Sequence, residues 1–166
     1  MEIKKIVNLL EAQVDNPSVG LQDELFLFIS KITPLVNVDL LIKNKNNQTL
    51  LTWREDGLYP PGWHIPGGIV RYKEKMFDRI IAVAASELGV KIRYNKTPLA
   101  MNECIQPRRR VRGHFISFLY ECKIIGQLDA KLRYKSGAPK PGEWAWHSNC
   151  PKDIIPVHGE MYRQYL

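Results

Sequence analysis

Gly67-Gly68, Glu74 and Glu87 are the residues whose types and spacing could do chemistry. The two glycines open a loop, Pro66 to Lys73, that joins a strand to a helix, and they let a backbone approach a ligand with no side chain in the way. The helix behind them places Phe77, Ile80, Ile81, Ala84 and Leu88 on one face, with Gly89 as its C-terminal stop. Glu87 falls in its last turn, where the helix dipole disfavours an acid. A carboxylate there is either solvated or held by a cation. His64, His114 and His147 could each supply a base near neutral pH, although a lone histidine is more often structural.

The elements that must position these groups follow from periodicity. Residues 2–14 set Ile3, Ile6, Val7, Leu10 and Val14 at helical spacing, Asn16-Pro17 ends the run, and "LQDELFLFISKI" is a second amphipathic segment. In "LVNVDLLI", Val36, Val38, Leu40 and Ile42 alternate with Asn37 and Asp39, which predicts a strand with one polar face. The polar tract "KNKNNQ" and the following "TLLTWR" extend it to a hairpin. Further strands are expected at "PLAMNECIQ", "HFISFLYECKI" and "EWAWH", and a helix at "GEMYRQYL". Strands, a helix, more strands and a last helix predict a mixed sheet flanked by helices.

The totals narrow the class. A chain of 166 residues is expected to form one domain, here a helical extension over 1–32 and a core over 33–166. It has no apolar run long enough to cross a membrane, and Met1-Glu-Ile-Lys-Lys begins no signal core, so a cytoplasmic location without membrane partners is expected. Cys104, Cys122 and Cys150 match no disulfide or zinc pattern and read as reduced. The 24 Lys and Arg against 17 Asp and Glu give +7, which favours an anionic partner. The run Arg108-Arg109-Arg110-Val111-Arg112 lies between strands with no interleaved aromatics, which favours a small phosphate compound over nucleic acid.

Trp63-His64-Ile65-Pro66-Gly67-Gly68, then Glu74 after five residues, and Glu87-Leu88-Gly89-Val90 resemble the Nudix box. That box reads G, five residues, E, seven residues, then R-E-hydrophobic-x-E-E-x-G-hydrophobic, and the match keeps register from Gly68 to Val90. The resemblance runs from about Thr33 to Trp146. It implies an α/β fold, the Nudix α/β/α sandwich around a mixed β-sheet, and hydrolysis of nucleoside diphosphate derivatives with Mg²⁺ or Mn²⁺. Three box positions differ: Ala82 stands for the arginine, Val83 for the first glutamate of the R-E pair and Ser86 for the first of the E-E pair. In the family that arginine pairs with the glutamate equivalent to Glu74; Arg79 or Arg71 are the candidates to replace it.

"TPLVNVDLLI" and "GWHIPGG" are similar to the GDP-mannose mannosyl hydrolase branch, which also lacks the two upstream glutamates. That resemblance implies metal ligation by the Gly67 carbonyl and Glu87, with substrate contacts at Asp39 and Arg54. Where the branch carries a metal-binding glutamine and a general-base histidine, this sequence has Lys140 and Pro141, and Ile69 replaces its loop arginine. The expected activity is metal-dependent hydrolysis of a nucleoside diphosphate sugar, with catalysis resting on Glu87 and Arg54. Arg54, with Arg110 or Arg112, would clamp phosphate; Trp63 would either stack on a base or serve packing. The alternative is a Nudix fold that binds a nucleotide sugar without turnover. Two consecutive amphipathic segments before the first strand, and the dimers of similar sugar hydrolases, predict a homodimer using the N-terminal extension.

Overall fold

The computed structural model describes residues 2–166. Two short helices come first, α1 (Ile3–Glu11) and α2 (Asp23–Ile29), followed by β1 (Leu35–Ile42), β2 (Thr49–Arg54), β3 (Gly62–His64) and β4 (Gly67–Ile69). Then come α3 (Met76–Leu88), β5 (Lys91–Tyr94), β6 (Ala100–Ile105), β7 (His114–Ile125), β8 (Trp144–His147) and α4 (Pro156–Tyr162).

The long strand β7 organises one sheet. Along one edge it pairs in parallel with β1, which pairs antiparallel with β4; along the other it takes β6 and then β5, both antiparallel. A second, antiparallel sheet has the order β3-β2-β8. The expected hairpin between β1 and β2 is reduced to one bridge, Lys43 to Thr49, because the two strands diverge into different sheets. β5 was not anticipated: Lys91 and Arg93 are exposed and Ile92 and Tyr94 half-buried, so the strand is short and weakly patterned.

Alternation along β1 divides the core. Val38, Leu40 and Ile42 pack towards α3 with Ile80, Val83, Ala84 and Leu88, whereas Leu35 and Leu41 join the cluster of Val157, Met161 and Tyr162 from α4. The polar face of β1 is therefore no solvent face, and Asp39 is fully buried on it. The face of α3 is also rotated from the expected one. Ile81 is 52% exposed and Val83 takes its place in the core, because Gly68 leaves room there: a Cβ on Gly68 would stand 2.8 Å from the Val83 Cγ2. Gly89, at φ 65°, stops α3 as expected. No helix among the described residues is long and apolar enough to cross a membrane.

Candidate active site

One cleft of about 760 Å³ opens beside the Gly67-Gly68 strand and gathers residues from α2, β1, β2, β3, β4, the end of α3, the basic loop and α4. It brings together Asp39, Arg54, Gly67, Glu87 and Arg112 of the residues singled out in the sequence. Two others lie elsewhere. Trp63 is 3% exposed inside the core, edge-on to Trp53, Tyr134 and His147 at 5.3, 5.5 and 4.7 Å. Arg110 is exposed and lines a separate depression with Lys31 and His114.

Glu87 faces the glycine strand. Its Oε1 accepts the Gly67 N–H at 3.4 Å and its Oε2 stands 3.3 Å from His64 Nε2. Because the Gly67 N–H leaves the β1 ladder for Glu87, the alternation of an antiparallel pair turns the Gly67 carbonyl away from β1 as well. His64 is oriented from its other side, with Nδ1 2.8 Å from the Thr52 carbonyl. Of the three histidines proposed as bases, this one lines the cleft; His114 pairs with Glu103 on the surface and His147 packs on Trp63.

Asp39 lies behind Gly67. Its Oδ2 accepts from Ser117 Oγ and, at 2.5 Å, from Tyr162 OH, while Oδ1 has no hydrogen-bond partner among the described residues. Oδ1 would lie 1.9 Å from a Cβ on Gly67, so this glycine is required by a buried carboxylate as much as by any ligand. Burial pushes the Asp39 carboxyl up to about 6, against the lowering effect of its Ser117 and Tyr162 hydrogen bonds.

The arginines form a second centre. Arg54 Nε donates to Asp56 Oδ2 at 2.7 Å and its Nη2 meets the same oxygen; Arg112 Nη1 lies 3.9 Å away from it. Arg112 is 9% exposed and holds a left-handed φ of 50°, a strained conformation for a long side chain, with its N–H donated to Ser30 Oγ at 3.1 Å. Half of the basic run thus points inward: Arg109 lies over the Tyr59 ring at 4.0 Å and donates to the Leu58 carbonyl at 2.7 Å.

Several cleft residues escaped sequence reasoning. Phe26 and Trp53 line it, as does His158, whose Nδ1 accepts the Ile65 N–H at 3.1 Å. Burial holds His158 well below the usual histidine range, so it is neutral with its proton on Nε2. Alternation along β2 predicts Trp53 on the opposite face from Arg54 and so does not mark it as a cleft residue; nothing local marks His158 either, 93 residues from its partner.

A divalent ion can be tested against these donors. Among the described residues no group of three His, Cys, Asp or Glu side chains is placed to hold a metal. Val83 is buried and Ser86 Oγ donates back to the Val83 carbonyl at 3.4 Å, so α3 offers Glu87 alone. One carboxylate and one backbone carbonyl suit Mg²⁺ or Mn²⁺ when phosphate oxygens and water complete the shell, and do not form an all-protein cage. The residues fit an ion brought with its phosphate.

No protein-family model matches the sequence. The chain is similar to the low-salt glycan biosynthesis protein Agl8 of Haloferax volcanii, 36% identical over 80 residues that make up 48% of this chain and 51% of that one. It thus spans about half the length of that relative. The ADP-ribose pyrophosphatase of Methanocaldococcus jannaschii is 27% identical over 133 residues, 80% of this chain and 73% of that one. Among solved structures, a NUDIX family hydrolase from Clostridium perfringens superposes with a TM-score of 0.57 at 13% identity, covering 81% of this chain and 97% of that one. This is the Nudix fold. On it, the segment from Gly68 to Val90 runs from β4 through the loop and α3, and Glu87 is the residue of that helix that reaches the cleft with a carboxylate.

Proposed function

We propose that this chain, as a single Nudix domain, hydrolyses nucleoside diphosphate sugars or related nucleoside diphosphate derivatives in the manner of the GDP-mannose mannosyl hydrolase-like branch. The observation that carries this reading is the placement of Glu87 at the Gly67 strand and of Arg54 and Arg112 in one cleft. The names of the relatives point the same way, one to glycan synthesis and one to a nucleoside diphosphate substrate.

Glu87 and the Gly67 carbonyl would hold Mg²⁺ or Mn²⁺, which when bound neutralises the diphosphate and polarises the leaving group. Arg54 and Arg112 take phosphate oxygens through charged hydrogen bonds, the guanidinium fork matching two oxygens at once. Trp53 and Phe26 provide apolar walls for a base or sugar. His64, whose Nδ1 lies 2.8 Å from the Thr52 carbonyl and whose Nε2 lies 3.3 Å from Glu87 Oε2, would be the base that takes a proton from an attacking water.

A metal-supplemented hydrolysis screen over nucleoside diphosphate sugars, with products identified, tests this. Free sugar plus nucleoside diphosphate indicates attack at carbon; sugar phosphate plus nucleoside monophosphate indicates attack at phosphorus. The second reading, a binder without turnover, is favoured by the single carboxylate, Glu87, that α3 brings to the cleft. Nucleotide-sugar binding with no product from any substrate would select it.

The assembly we propose is a homodimer through the N-terminal extension. α1 buries none of its residues, with Ile3 79% and Leu9 62% exposed, an apolar face suited to a second copy. Light scattering at micromolar concentration should give twice the chain mass, and deletion of residues 1–31 should halve it.

A further inference from the structure

The phosphate-binding reading of Arg54 and Arg112 leaves one residue of the cleft unexplained. Asp56 puts a carboxylate where that reading wants a phosphate. Its Oδ2 takes both Nε and Nη2 of Arg54, the two donors that form one edge of the guanidinium fork, and faces Arg112 Nη1 at 3.9 Å. Its Oδ1 accepts the Leu58 N–H at 3.0 Å, which fixes the carboxylate in the turn. That turn is itself tied to the basic loop, since Arg109 donates to the Leu58 carbonyl at 2.7 Å and Tyr59 OH donates to the Arg112 carbonyl at 3.4 Å. Arg54 and Asp56 line the cleft with side chains 29% and 28% exposed, so an incoming anion can reach the pair.

We propose that Asp56 is an internal anion that holds the Arg54 fork in place of a phosphate group, and that the diphosphate of a nucleotide ligand displaces it. This rests on the function proposed above. In the empty cleft, the carboxylate keeps two buried or half-buried guanidiniums from repelling each other and sets Arg54 in one orientation. When a diphosphate enters, its oxygens replace those of Asp56 on Nε and Nη2, and Asp56 remains anchored through the Leu58 N–H. The carboxylate thus selects for ligands: a weak or singly charged anion does not outcompete a tethered carboxylate, whereas a diphosphate with an accompanying divalent ion does. Asp56 is a positioning residue in this scheme and touches no reacting atom.

The experiment is calorimetric titration of the full chain with ADP in the presence of Mg²⁺, for wild type, Asp56→Asn and Asp56→Glu. Removing the competing charge should tighten ADP binding about two- to fivefold, the range expected for a partly exposed ion pair, and Asp56→Glu should return the affinity towards wild type. A merely structural role would instead weaken binding in Asp56→Asn. In wild type, the Asp56 carboxyl carbon resonance, assigned through its connectivity along the Asp56 side chain and backbone, should move when ADP saturates the site. Equal or weaker binding by a folded Asp56→Asn overturns the proposal, and so does a resonance that stays fixed at saturation. The latter reading decides the matter if the variant fails to fold. Wild-type ADP binding that persists while every nucleotide sugar goes unhydrolysed would sink turnover as the function without touching the displacement by ADP.

Discussion

Arg79 reaches back from the first turn of α3 to Glu74 at 2.9 Å, one helical turn before the position where the box arginine is replaced by Ala82. Glu74 also accepts the Arg71 N–H at 2.9 Å, and these contacts hold its carboxyl below the usual range although burial works the other way. The loop is therefore already braced. Ala82→Arg should leave metal affinity and activity unchanged, whereas Arg79→Ala should cost about 1.5–3 kcal/mol of stability, the value of a charge-assisted hydrogen bond. Thermal melting and metal titration of the two variants check this. A gain from Ala82→Arg would show that the original bracing geometry is still in demand.

Glu87→Gln keeps the size of the side chain and removes its charge. With a nucleotide sugar present, Mn²⁺ or Mg²⁺ affinity should fall by at least about tenfold, the lower end of what losing even an outer partner of a ligand costs. In chelator, melting should hold, because the Gly67 N–H can still bond the amide oxygen. Without nucleotide, wild type should bind the ion weakly, since two protein oxygens leave most of the shell to phosphate and water. Equal calorimetric affinities for wild type and variant would remove Glu87 from the metal site.

Asp39 predicts a pH dependence with a defined sign. Its carboxyl is raised by burial from the ordinary 3.8 to about 6. The native chain therefore binds more protons than the unfolded chain between those values, so this group's contribution to stability is present at low pH, is lost as pH rises through about 6, and is flat above. A shift of that size corresponds to roughly 3 kcal/mol. Asp39→Asn should melt above wild type at pH 8, and the difference should shrink to nothing below about pH 4. Melting curves of both proteins across that range decide it; parallel curves would show that Asp39 does not carry the effect.

The two tryptophans of the β2–β3 ladder touch edge-on at 5.3 Å but should differ in their main effect. Trp63 is core, and Trp63→Ala should cost about 3–5 kcal/mol of stability. Trp53 lines the cleft, and Trp53→Ala should weaken nucleotide binding by about 1–3 kcal/mol if a base stacks on it. Chemical denaturation and calorimetry on the same two variants distinguish the roles. Unchanged nucleotide affinity in Trp53→Ala would leave the base without an indole partner.

Where a residue's environment is local, the sequence carried it. The helix behind the glycines, its stop at Gly89 and the inward place of Glu87 all follow from spacing within one element and its resemblance to a known box. That Arg54 and Asp39 lie at the cleft was legible through resemblance alone, and the burial of Asp39 was not, because Ser117 and Tyr162 arrive from β7 and α4. Asp56 reads as an ordinary turn residue between Glu55 and Gly57 until the basic loop is folded against it. Trp63 was open between packing and stacking because a strand's two faces are equivalent until the sheets are assembled, and here its face turns to the core. Ile81 and Val83 exchanged places for a related reason: three apolar neighbours on a helix leave its rotation free until Gly68 admits one of them.

The bond between Asp39 and Tyr162 joins residues 123 positions apart. During synthesis at 5–20 residues per second, that separation corresponds to about 6–25 s in which β1 exists and α4 does not. Over that interval the part of the back wall that α4 supplies is missing, and the Asp39 carboxylate lacks its Tyr162 partner. Docking of α4 then adds the Tyr162 hydroxyl to the Ser117 hydroxyl already brought by β7. The cleft is therefore completed late, by a segment that contributes little of its lining, and the ribosome rather than the ligand sets the time at which this site first comes into being.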